Sequence, residues 1–109
     1  METIEKDDIE IEDIILNMDD TYLLMAKLKN TKDLLNKLGL GQFNGYYVEI
    51  YFNYFIKTKI NEFEIMVFVS NDKKDLINDF FINITKNELS TVLAKVQEYF
   101  KEKKEKTYV

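Results

Sequence analysis

Three carboxylates, Glu49, Glu62 and Glu64, are the residues of this chain best spaced for chemistry. Glu62 and Glu64 lie two apart and share one face of a strand. With Glu49 they could bridge a magnesium ion and activate water for hydrolysis. A nuclease of the restriction-enzyme type would add a carboxylate-x-Lys step. Neither Glu62-Phe63-Glu64 nor Glu49-Ile50-Tyr51 supplies it. The rest of the catalytic vocabulary is missing, because the 109 residues include no His, Cys, Arg, Pro or Trp. That removes the Ser–His–Asp and Cys–His nucleophile systems and leaves zinc only carboxylate ligands. Gly39, Gly41 and Gly45 precede a strand rather than a helix, so they form no phosphate cradle. Asp72 to Asp79 lacks the glycine and the closing Glu of a calcium loop. The carboxylates therefore read as charges on the wet face of a sheet. The expectation is a protein that is not an enzyme and holds no metal or cofactor.

Aromatic residues carry the positive signal. From Tyr46 to Lys57 the chain alternates, with Tyr46, Val48, Ile50, Phe52, Tyr54 and Ile56 on one face. Tyr47, Tyr51 and Phe55 fall on the other, and Met66 and Phe68 of the next alternating run join them. The solvent face of a small antiparallel sheet is normally polar. An apolar one is either covered by a second helix or offered to a partner, for which Tyr, Phe and Met are favoured. Glu49 and Glu64 on that face would repel phosphates, so nucleic acid is not the expected ligand.

Charge is unevenly placed. The net charge is −5, with 20 acids against 15 lysines. Within residues 1–20 nine acids, among them Asp7, Asp8, Glu10, Glu12, Asp13, Asp19 and Asp20, face the single base Lys6. This acidic leader either provides solubility and helix-start charge or docks into a basic groove. The run Lys101, Lys103, Lys104 and Lys106 is interrupted by Glu102 and Glu105, which suits a solvated helix end. Asn83-Ile84-Thr85 matches a glycosylation acceptor by chance. No stretch approaches the roughly 20 apolar residues of a membrane span, and no basic-then-apolar start marks secretion. A cytoplasmic protein follows. The lack of Arg and Pro beside many Ile, Asn and Lys matches codon usage in an AT-rich genome and carries no functional message.

The elements that must position these residues form one domain. Residues 1–20 are expected as a partly ordered acidic segment, polar and frayed over 1–8, with a short helix from Ile9. Residues 21–106 are expected as a single α+β domain, with 107–109 frayed. The first helix of that domain spans about 21–38. Asp19-Asp20-Thr21 caps it, Leu24, Leu28, Leu34, Leu35 and Leu38 mark its buried side, and Gly39 ends it with Leu40 folded back on Leu35. Asn30-Thr31 either kinks it or caps a second segment. Two strands follow as a hairpin, then a third over about 79–84. Thr85-Lys86-Asn87-Glu88 is a capping box for a last helix carrying Leu89, Leu93, Val96, Tyr99 and Phe100. The predicted architecture is α-β-β-(β)-α, with an antiparallel sheet packed by N- and C-terminal helices.

These features favour a small acidic module that binds another protein and inhibits or neutralises it. The expected partner is a toxin or a nucleic-acid-binding protein, and toxin-immunity proteins and phage anti-defence inhibitors of the anti-CRISPR type are the analogous class. A homodimer is a further expectation. Leu38-Gly39-Leu40 after a leucine-rich helix, then a hairpin and a long final helix, resembles the acidic dimeric chaperones of type III secretion over residues 31–100. That resemblance implies an alternative role as a secretion chaperone.

Overall fold

Alternation, not helical periodicity, governs the first third of the chain. The computed structural model describes residues 2–17, 23–55 and 63–107. Its elements are β1 (Ile11–Asn17), β2 (Leu23–Leu28), α1 (Lys32–Lys37), β3 (Tyr47–Phe55), β4 (Phe63–Ser70), β5 (Leu76–Asn83) and α2 (Lys86–Thr107). Single 3-10 turns precede β1 and β3, at Lys6–Asp8 and Gly41–Phe43. The five strands form one antiparallel meander in the order β1-β2-β3-β4-β5.

This corrects the expected α-β-β-(β)-α order. The helix predicted over 21–38 is instead β2 followed by the short α1. Leu24, Ala26 and Leu28 are buried in succession, a period of two. Leu24 and Leu28 satisfy a four-residue spacing equally well, which is why the segment imitates a helix. Met, Ala, Leu and Lys are also good helix formers, and here pairing with β1 and β3 overrides that preference. Thr31 starts the true helix by accepting the Leu34 N–H at 3.1 Å. It ends as Gly39 implies. At φ +75° this glycine adopts the left-handed region, donating to the Asn36 carbonyl, while Leu40 donates to that of Leu35.

The leader is corrected too. The short helix expected from Ile9 is strand β1, bulged between Ile11 and Asp13. Residues 2–9 are not frayed, since Ile4 and Ile9 are buried in the core. The third strand, expected over about 79–84, is β5, which starts earlier, at Leu76, after a turn centred on Asn71.

One core lies on a single face of the sheet. Ile50, Phe52, Ile65 and Val67 come from the central strands, and Val92 and Val96 of α2 pack over them with Ile4, Ile9, Leu34 and Leu35. The stripe of α2 is centred on Val92, while Phe100 is exposed. At about 1.5 Å per residue α2 is roughly 33 Å long and outreaches the core. Its start is the predicted capping box: Glu88 N–H donates to the Thr85 hydroxyl at 3.2 Å, and Thr85 N–H to Glu88 Oε1 at 3.0 Å. Among the described residues no helix is long and apolar enough to cross a membrane.

Candidate partner-binding face

The strand register assembles the face opposite the core. One row crosses all five strands as Asp13, Lys27, Tyr51, Met66 and Phe81. The row beside it is Ile15, Met25, Asn53, Glu64 and Asn83. On the other side Glu49, Phe68 and Asp79 align, and beyond them Tyr47 and Ser70. The side chains between these rows, from Ala26, Ile50, Phe52, Ile65 and Val67, are buried in the core. Because α2 and α1 contribute to that core, no described helix covers the outer face.

Of the residues singled out from sequence, Tyr47, Tyr51, Met66 and Phe68 come together on this face. Tyr47 is exposed, and Tyr51, Met66 and Phe68 are half-buried by one another. The rings of Tyr51 and Phe68 meet edge-on, with centroids 5.9 Å apart. The side chain of Phe55 lies outside the described residues. Reading the sequence missed Ile15, Met25 and Phe81. The first two were hidden by assigning helices to their strands. Phe81 was legible, since Phe80 and Ile82 alternate around it.

Glu49 and Tyr51 form the electrostatic centre. The Tyr51 hydroxyl donates to Glu49 Oε2. That bond, with burial and the nearby charge of Glu49, pushes the Tyr51 hydroxyl up to about 12. The same bond holds the Glu49 carboxyl below its ordinary range against the cost of burial, helped by Tyr47, Lys27 and Lys74. Lys74 also sits over the Tyr47 ring, 5.8 Å from its centroid. Asn53 is buried despite its outer register, and its Oδ1 has no hydrogen-bond partner among the described residues.

The carboxylate triad does not assemble. Glu49 and Glu64 share the face but pair with Phe68 and Asn53, four positions apart along β3, roughly 13 Å. The row of Tyr51 and Met66 runs between them. Glu62 lies outside the described residues, and among those described no cluster of three acidic side chains could hold a metal.

The acidic leader is mostly engaged within the fold. Asp8 is buried, accepts the Glu5 N–H at 2.8 Å and pairs with Lys37 at 3.1 Å. The pairing raises the Lys37 ammonium above its ordinary value. Glu10 pairs with Lys29 at 3.7 Å, Glu12 with Lys27 at 3.8 Å, and Asp13 accepts the Ile14 N–H. Lys6 pairs with Glu98 of α2, which lowers the Glu98 carboxyl. Asp7 is exposed, and Asp19 and Asp20 lie outside the described residues. The leader is therefore not a free strip. What it gives the outer face is Glu12 and Asp13 at the β1 edge.

Two shallow grooves flank these features. One, of about 440 Å³, runs beside Tyr46 and Tyr47 to Asn71 and Asp72. The other, of about 340 Å³, lies between the start of β1 and α2, lined by Glu10, Lys29, Lys95, Glu98, Tyr99 and Glu102. No family model, curated protein or solved structure matches the chain.

Proposed function

We propose that this protein is a non-enzymatic cytoplasmic binding module whose outer sheet face docks on another protein and neutralises it by covering a functional surface. The observation that carries the reading is the composition of that face. Its middle holds the apolar and aromatic side chains of Met25, Tyr51, Met66 and Phe68 beside the charges of Lys27 and Glu49, and its perimeter carries the acids Glu12, Asp13, Glu64 and Asp79. Protein interfaces have this anatomy, with a desolvated aromatic centre inside a polar rim. The rim supplies the partner's chemistry: an apolar patch ringed by lysine or arginine, as on a toxin or protein that grips nucleic acid. The net charge of −5 would steer such an encounter.

Substitution tests the proposal on the complex with a partner isolated from the native host. Tyr51→Ala and Phe68→Ala should each weaken binding by about 30-fold or more, as central aromatic contacts do. Ser90→Ala, exposed on α2, should leave it unchanged. Equal affinity of all three variants would end the reading.

A further inference from the structure

The two edges of the sheet are built differently. β1 is blunted by its bulge and by Glu12 and Asp13, which discourage a further strand. β5 carries no lysine and no proline, and its one charge is Asp79. From Asn78 to Asn83 it stays in regular register with β4, so its free edge is straight. Phe81, 59 % exposed, is the most exposed large apolar side chain among the described residues. Such an edge presents a row of backbone donors and acceptors that only another strand can satisfy.

We infer that two copies of this chain join edge to edge through β5, antiparallel, with the two-fold axis passing through the Phe81 pair. Self-complementarity selects the second copy as the occupant. Cross-strand pairs must share a face, which restricts the register to steps of two residues. Centring on Phe81 sets Phe81 against Phe81, Phe80 against Ile82 twice, and Asp79 against Asn83 twice. Between Asp79 and Asn83 each pair then matches, aromatic with aromatic, apolar with apolar and carboxylate with amide, and the two Asp79 carboxylates stay apart. Centring on Phe80 would set Asp79 against Phe81 and Asn78 against Ile82, desolvating a charge and two amides beside apolar groups. The axis stands perpendicular to the sheet, so both α2 helices lie on one side. Both outer faces lie on the other, and the row Tyr51–Met66–Phe81 continues into its symmetry mate. This dimer uses the edge and does not depend on the proposed partner.

The absence of cysteine makes the test direct. Light scattering of the full chain should give twice the 13.0 kDa monomer mass at micromolar concentration. Under mild oxidation Phe81→Cys should cross-link to itself. Ile77→Cys, also exposed, should not, because it lies about four residues from the axis, roughly 13 Å along the strand. Asn83→Asp places like charges opposite Asp79 and should weaken the dimer by about tenfold, with Asp79→Lys in the same chain restoring it. Circular dichroism should show the native fold in each variant. A folded wild-type chain that stays at 13.0 kDa overturns the inference and leaves the edge to a strand of another protein. So does a dimer in which Phe81→Cys and Ile77→Cys cross-link equally.

Discussion

The backbone N–H of Ile4 donates to Glu88 Oε2 at 3.2 Å, joining the start of the chain to the first turn of its last helix. Glu88 is buried, and its other oxygen accepts the Thr85 N–H. One carboxylate thus closes the capping box and anchors the segment that carries Ile4 and Ile9 into the core. Removing it leaves two partly buried donors unmatched and exposes the helix start. Glu88→Ala should destabilise the fold by about 2–4 kcal/mol, and Glu88→Gln, which retains one acceptor, by less. Thermal unfolding measures both.

Burial of the leader predicts a contrast between two isoleucines. Ile9 is fully buried and Ile15 is 47 % exposed on the outer face. Ile9→Ala should cost about 2–4 kcal/mol through lost burial and the cavity left behind. Ile15→Ala should fall within about 0.5 kcal/mol. Denaturant melts with unchanged slopes would record both; equal effects would contradict the placement of residues 2–9 in the core.

Backbone conformation predicts two changes of opposite sign. Gly39 has φ +75°, and a Cβ there would meet nothing within 4 Å. Gly39→Ala should therefore cost about 1 kcal/mol from backbone strain alone. Lys74 adopts φ 64° without being glycine. Lys74→Gly relieves that strain, offset in part by loss of the cation over Tyr47, and should change stability by less than about 1 kcal/mol, upwards.

The Tyr51–Glu49 hydrogen bond predicts pH dependence at both ends of the scale. Tyr51 holds its proton more tightly folded than unfolded, so the bond's contribution is complete below pH 10 and is lost as pH rises towards about 12. Glu49 is depressed, so its contribution is present above its ordinary value of 4.5 and is lost as pH falls through the lower folded value. Ultraviolet titration of the tyrosines should show one ionising near 12, shifted towards 10 by Glu49→Gln. A late-titrating tyrosine that survives this substitution would contradict the assignment.

Strand parity was the most legible part of the fold. The alternation through Val48, Ile50 and Phe52, and through Ile65, Val67 and Val69, groups residues that the fold buries together, although residue types alone left open which face is covered. The capping box at Thr85 and Glu88 was equally readable, because its spacing has one meaning. The first third was not readable, since Leu24 and Leu28 fit both periods and Ala26 is a helix former that here fills the small space between strands. A five-stranded meander needs two strands that only pairing specifies. Alternation alone groups Tyr47, Tyr51, Met66 and Phe68 of β3 and β4 on one face, and the contributions of β1 and β2 vanished with the misplaced helix. The ion pairs that absorb the leader depend on which lysines β2 and α1 bring near, and spacing along the chain does not encode them.

Site-specific photo-crosslinking in the native host reads out what docks on the outer face. A photoreactive phenylalanine analogue would replace Phe68 at the middle of the outer face or, as a control, Ser90 on the exposed side of α2. One basic protein should be joined from position 68 and not from position 90, its yield falling as salt screens the acidic rim. Equal cross-linking from both positions, or a salt-insensitive acidic partner, would contradict it.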